Sequence, residues 1–224
     1  MTAIVLQARI DSSRMPGKSL LLLDGKPLVS RVMEACLHIP SDLRILACPE
    51  DSLSAFSPLA EQAGFKIFCG PKEDVLERYC QVIKHFSVKR VIRATADNPF
   101  IFTDAAIAIN AEGMALGADY AGFAGLPIGA GVESVSASAL LRAGSDATSP
   151  YDREHVCPYL YNHPELFRLH RPLAPIRWQK TNIRLTIDTQ EDLDIAKELY
   201  TALKNENQRY YGPVIINAFK KIRN

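Results

Sequence analysis

Short runs of consecutive apolar residues alternate along this chain with longer stretches whose apolar residues recur at helical spacing. The runs at 3–8, 43–48, 66–69 and 89–95 are predicted as strands, beginning with Ala3-Ile4-Val5-Leu6. Residues 27–38, 52–64 and 74–87 are predicted as helices between them. Pro27 suits a first helical position, where its missing N–H would be unpaired anyway. Asp24-Gly25 supplies the preceding turn, and Gly64 follows the second helix as a cap. This alternation predicts an α/β fold with a mainly parallel sheet covered by helices on both faces.

From residue 118 the regularity loosens, with Gly122, Gly125, Pro127, Gly129 and Gly131 crowding one loop. Strands are expected at 132–135, 166–171 and 183–188, and helices near 137–144 and over 154–163. Thr189 is placed to cap a helix reaching about Lys204, with Leu193, Ala196, Leu199 and Leu203 along one face. A last helix runs from Gly212 to Arg223, with Pro213 in its first turn. With no repeat and no low-complexity linker, residues 1–224 read as one domain whose second half extends the first.

The loop leaving the first strand carries the most chemistry. Gln7-Ala8-Arg9-Ile10-Asp11-Ser12-Ser13-Arg14-Met15-Pro16-Gly17-Lys18 brings three cations and two hydroxyls to a strand end. Open α/β sheets bind ligands there, and this set of donors suits a polyphosphate. It is neither G-x-x-x-x-G-K-[ST] nor G-x-G-x-x-G, so neither a P-loop nor a dinucleotide site is supported. Asp97 follows the strand at 89–95, just before Asn98-Pro99, and Asp188 ends the segment 183–188. Two strand-end carboxylates opposite a basic loop make a Mg²⁺–nucleotide arrangement, although each Asp taken alone reads equally as a turn or a cap.

Composition narrows the partners. With 26 Lys and Arg against 25 Asp and Glu, the chain has none of the charge excess of a nucleic-acid-binding domain. No apolar stretch approaches the ~18 residues of a membrane span, and no signal-peptide pattern opens the chain. The five cysteines, Cys36, Cys48, Cys69, Cys80 and Cys157, never form C-x-x-C. Buried free thiols in a reducing cytoplasm are expected, not a zinc site or a disulfide framework.

The segment Gln7–Lys18 resembles the A-R-x-x-S-x-R-x-P-x-K signature of the cytidylyltransferases that activate 3-deoxy-manno-octulosonate and acylneuraminates. Further segments agree in order with the spore-coat polysaccharide (SpsF-type) branch. These are Gly25-Lys26-Pro27-Leu28-Val29, Glu73 to Tyr79, Arg93 to Pro99, Ser149 to Val156, and Arg184 to Leu193. The resemblance implies the nucleotide-diphospho-sugar transferase fold, a three-layer α/β/α sandwich with a mixed sheet, and a homodimer. It implies that Arg9, Arg14 and Lys18 hold the triphosphate and stabilise the departing pyrophosphate. Ala8, Arg9 and Ser13 would contact the nucleotide, with Thr95 near the base. Asp97 and Asp188 match the family's Mg²⁺ ligands. The partners implied are CTP and a small anionic sugar acceptor, with Arg153, His155, Arg184 and Glu133 as acceptor contacts.

Two positions depart from the branch pattern. Gly131 stands where an acidic residue is usual, leaving only Glu133 in that segment. Ala47-Cys48-Pro49-Glu50-Asp51 replaces an Ala-Thr-x-Asp run, which bears on contacts to the cytosine and on selectivity for CTP. Two other readings remain open: a glycosyltransferase of similar fold, weakened because no Asp-x-Asp follows Asp97, and a nucleotide-binding homologue without turnover.

Overall fold

The protein is described by a computed structural model covering residues 1–11 and 15–223. In chain order the strands are β1 (Thr2–Gln7), β2 (Leu22–Leu23), β3 (Lys26–Pro27), β4 (Leu43–Cys48), β5 (Lys66–Cys69), β6 (Arg90–Thr95), β7 (Tyr120–Ala121), β8 (Glu133–Ser136) and β9 (Leu169–His170). The helices are α1 (Leu28–Cys36), α2 (Glu50–Gln62), α3 (Val75–Phe86), α4 (Thr103–Ala115), α5 (Ala137–Asp146), α6 (Pro150–His155), α7 (Pro158–Asn162), α8 (Gln190–Leu203) and α9 (Gly212–Arg223).

Among the described residues seven strands form one sheet in the order β5-β4-β1-β6-β8-β7-β9. The β5, β4, β1 and β6 strands are mutually parallel, whereas β8 runs antiparallel to β6 and to β7. The sheet is therefore mixed and mainly parallel. The first strand lies in the interior of the sheet, with β4 on one side and β6 on the other. The chain goes one way from β1 to β4 and β5, then crosses back to β6. Such a reversal of strand order opens a crevice at the strands' carboxyl ends.

Alternation along β1 explains its unbroken apolar run. Ala3 and Val5 face α3, α5 and α7, while Ile4 and Leu6 face α1, α2 and α4. With both faces covered, no position of the strand is left for a polar side chain. This is the three-layer α/β/α arrangement. A third apolar cluster joins Trp178, Ile183, Leu185, Ile187 and the inner faces of α8 and α9.

Five expectations are corrected. The α4 helix, absent from the pattern analysis, is rich in alanine, and its apolar residues do not gather into one stripe. The segment at 183–188 is extended but is not a strand; it makes an isolated bridge between Arg184 and Ile128. The expected helix over 154–163 is two short ones, broken at Val156, whose φ of 74° takes a β-branched residue into the left-handed region. Only Leu169–His170 of 166–171 pairs as a strand. Pro27 precedes the first helical residue, Leu28, and does not occupy that position.

The cap on α8 is as the sequence spells it. Thr189 accepts from the Asp192 amide at 3.2 Å, and the Asp192 carboxylate accepts from the Thr189 amide at 2.9 Å. Together they form a capping box. Thr189→Ala is expected to cost about 1 kcal/mol and lower the melting temperature by roughly 2–4 °C. A thermal denaturation scan checks this.

Candidate active site

A cleft of about 350 Å³ opens at the carboxyl ends of β1 and β6, walled by the loop after β1, the first turn of α3 and the end of α6. Its floor is organised by one ammonium group. Lys18 Nζ lies 3.1 Å from Asp97 Oδ2 and 3.0 Å from Asp188 Oδ1, and only about a tenth of its side chain is exposed. Arg184 donates to the other oxygen of Asp188 and to Asp192 Oδ1 at 3.3 Å.

Backbone bonds bring these distant residues together. The ladder between β1 and β6 continues past Thr95 through the Ala96 amide, which donates to the Gln7 carbonyl. Asn98 then closes a turn onto Thr95, leaving Asp97 at its tip. The Ile187 amide donates to the carbonyl of Asp97 at 2.9 Å, so the carboxylate-bearing segments are sewn together beside their charges. Gly129, at φ 87°, lets the loop 126–131 lie against Thr186; a Cβ there would be 2.5 Å from the Thr186 nitrogen. That contact allows Leu185 to donate to the Ile128 carbonyl and holds the segment in place.

The residues singled out from sequence fall into three groups. Ala8, Arg9, Lys18, Thr95, Asp97 and His155 all line the cleft. Arg9 is partly exposed there, 3.6 Å from Glu154 of α6, and Ser19 donates to its carbonyl, tying down the loop's far end. Thr95 donates to Asp97 Oδ1 at 2.6 Å and accepts from Asn98, so its hydroxyl proton orients the carboxylate. Arg184 sits behind Asp188. Ser13 and Arg14 lie outside the described residues.

Arg153 and Glu133 are engaged elsewhere. Arg153 donates to Asp74 at 2.6 Å and to the carbonyls of Gly144 and Ala147, fastening α6 to the start of α3 and the end of α5. Glu133 lies opposite Arg93 in the antiparallel pair of β6 and β8, at 2.5 Å, and accepts from the Tyr120 hydroxyl at 2.9 Å. Burial and the Glu133 charge push the Tyr120 phenol and the Cys157 thiol well up, so both stay neutral. Gly131 adds no side chain to this group; a Cβ there would meet the tip of Leu126.

A family model described as Cytidylyltransferase matches residues 3–220, nearly the whole chain. The chain belongs to the cytidylyltransferase family. The spore coat polysaccharide biosynthesis protein SpsF of Bacillus subtilis (strain 168) is 32% identical over 203 residues, covering 88% of this chain and 85% of the relative. Among solved structures, a cytidylyltransferase from Leptospira borgpetersenii serovar Hardjo-bovis (strain JB197) superposes with a TM-score of 0.88 at 23% identity, covering 99% of this chain and 94% of its own. CMP:2-keto-3-deoxy-manno-octonic acid synthetase complexed with CTP shares the fold at a TM-score of 0.69 and 17% identity, covering 89% and 98%. This chain is accordingly a nucleotidyltransferase enzyme.

The donor set of this cytidylyltransferase fits a divalent cation of the hard, oxygen-seeking kind. Both carboxylates already converge on one positively charged atom, and carboxylate oxygen is the ligand that Mg²⁺ prefers. No group of three His, Cys, Asp or Glu that could hold a metal occurs among the described residues.

Two cleft arginines were not picked out from sequence, Arg78 and Arg93. Each left a signal: a charged residue stands among Val75, Leu76, Tyr79 and Val82 on the buried face of α3, and another interrupts the apolar strand Val91-Ile92-Arg93-Ala94. Arg93 also donates to Gln7 Oε1 at 3.1 Å, so it joins β1, β6 and β8 across the cleft wall. Arg93→Met is expected to cost roughly 3–5 kcal/mol by stranding Glu133, with much of it recovered in the Arg93→Met, Glu133→Gln double variant. Urea denaturation measures both.

Proposed function

We propose that this enzyme transfers CMP from CTP to a sugar acid or a related small anionic acceptor, releasing pyrophosphate, with Mg²⁺, in the making of a surface polysaccharide. The observation that carries the reading is the single ammonium of Lys18 held between Asp97 and Asp188 at the floor of a cation-lined cleft. Lys18 and both carboxylates together form a mount for a triphosphate and its cation. The loop signature, the family model and the SpsF relative support CTP and polysaccharide synthesis.

Asp97 and Asp188 would hold Mg²⁺, which when bound would supply neutralisation of the phosphate charge. The chain's own residues do the rest. Arg9 and Lys18 hold the triphosphate and stabilise the charge that grows on the pyrophosphate as it leaves. Lys18 exchanges its carboxylate partners for phosphate oxygens on binding. An acceptor oxygen then attacks the α-phosphorus in line, and the bond from that phosphorus to the bridging oxygen breaks. Positioning provides most of the acceleration, and no covalent enzyme intermediate is needed. His155 at the cleft wall and Arg184 beside Asp188 receive the acceptor's anion; Arg153 and Glu133 contribute by holding the walls. The reading takes residues 1–224 as one catalytic domain, acting as a cytoplasmic homodimer, on the strength of the family resemblance. Among the described residues no helix is long and apolar enough to cross a membrane.

Thermal stabilisation by CTP, UTP, GTP, ATP and UDP-sugars, each with and without Mg²⁺, tests the reading. At a hundredfold excess over Kd, Mg²⁺–CTP is expected to add about 2.7 kcal/mol, or roughly 5–10 °C. Asp97→Asn and Asp188→Asn are expected to fold, to lose the Mg²⁺-dependent part of the shift, and to release no pyrophosphate. Stabilisation by a nucleotide sugar alone would point to a glycosyltransferase, and no stabilisation by any of them would point to a homologue without turnover. Lys18→Met is expected to weaken CTP binding and to strengthen binding of Mn²⁺ added alone, because the competing ammonium is gone; titration followed by Mn²⁺ electron paramagnetic resonance reads the second effect.

A further inference from the structure

Two stretches of the chain hold no acidic residue. Residues 166–187 and 207–224 carry nine of the 26 Lys and Arg and none of the 25 Asp and Glu, leaving 17 cations against 25 carboxylates elsewhere. A nearly neutral chain therefore hides a strong segregation of charge. The fold brings the two stretches together, because α9 packs on the turn Ile176–Trp178. Their contact surrounds an open hollow lined by Arg177, Lys180 and Lys220, with no Asp or Glu in its wall. Lysines elsewhere on the surface are matched: Lys26 with Glu34, Lys72 with Asp11 and Asp51, Lys197 with Asp194.

The same face presents bare apolar side chains. Ile176 is 87% exposed and Leu173 68%. That exposure is imposed by a rigid base. Trp178 is buried against Ile215 and Ile216 of α9, and its indole N–H donates to Asp104 at 2.7 Å. The other oxygen of Asp104 accepts from the Gly212 amide at 2.9 Å, so one carboxylate fixes both the turn and the start of α9. With Trp178 drawn inward, Ile176 and Arg177 are turned to the outside. The Arg177 guanidinium rests over the Trp178 ring, 4.5 Å from its centroid, which orders it at the surface. Leu173 and Gln179, the latter also lining the hollow, both reach over Gly125.

We propose that this face docks the enzyme on an anionic lipid bilayer, with Ile176 and Leu173 entering between the headgroups and Arg177, Lys180 and Lys220 lying against the lipid phosphates. Projecting aliphatic residues ringed by cations suit a membrane interface, where buried apolar area and attraction to anionic lipid add together. A nucleic acid would use the cations but gain nothing from aliphatic tips, and Trp178, which could stack on a base, is 2% exposed. A second copy docked on the same face would set these cations against one another. Ile176 stands almost wholly in solvent, so it needs a yielding apolar layer, which acyl chains supply. None of these residues lines the substrate cleft, so docking takes no residue from the reaction.

Co-sedimentation with vesicles of phosphatidylcholine alone, and of phosphatidylcholine mixed with phosphatidylglycerol, tests the proposal. The wild type is expected to bind the mixed vesicles, to ignore the neutral ones, and to be released by about 0.5 M NaCl. Ile176→Ser is expected to bind the mixed vesicles roughly 10-fold more weakly. The Lys180→Gln, Lys220→Gln double variant is expected to lose about 30-fold. Both variants change exposed side chains and are expected to keep the wild-type melting temperature and CTP binding. Failure of the wild type to bind mixed vesicles, or equal binding to neutral ones, overturns the proposal. Binding that needs the lysines but not Ile176 overturns it too, by making the face a general site for polyanions such as RNA or acidic protein. A fall in particle mass by light scattering in Ile176→Ser would show instead that this face joins two copies of the chain.

Discussion

The ammonium of Lys18, shared between Asp97 and Asp188, is the interaction around which the site is built. It joins residues 79 and 170 positions apart in the chain. Two carboxylates this close would repel each other, and burial leaves Asp188 little water to screen its charge. The cation removes both difficulties, and it can be exchanged for another cation with similar charge. A site shaped for a metal-bound polyphosphate thereby keeps its geometry through a substitution of one positive group for another.

The remaining buried charges divide by what they hold. Arg93 and Glu133 form a cross-strand pair that fixes the wall between β6 and β8, with Gln7 and Tyr120 taking up further donors and acceptors. Arg153 fastens three helices at their ends. Arg78 is held more loosely, by one long bond to the Lys72 carbonyl and by the charge of the Asp51 carboxylate. Fully paired arginines stiffen the frame.

Much of the fold was legible along the chain because its physics is local. The unbroken apolar run of β1 announces burial on both faces, and the Thr189–Asp192 cap is written in adjacent residues. The α4 helix was not legible, since alanines spread round a helix carry no periodic signal, and Ala105, Ala106 and Ile109 are sorted inward only by packing against the sheet. The segment ending in Asp188 alternates like a strand, yet its amides pair with the Asp97 and Ile128 carbonyls in a loop. No short-range pattern distinguishes those two uses of an extended backbone.

The same division holds for the site. Residue types and their order determined that a basic loop, two acidic turns and a mainly parallel sheet would occur, because strand ends, turns and caps are set by neighbours a few positions apart. Tertiary structure alone decided that Lys18 meets both carboxylates, that Thr95 spends its proton on Asp97, and that Arg153 braces helices. Those outcomes depend on which distant groups arrive within about 3 Å of one another, and hydrogen bonding and ion pairing act only at that range.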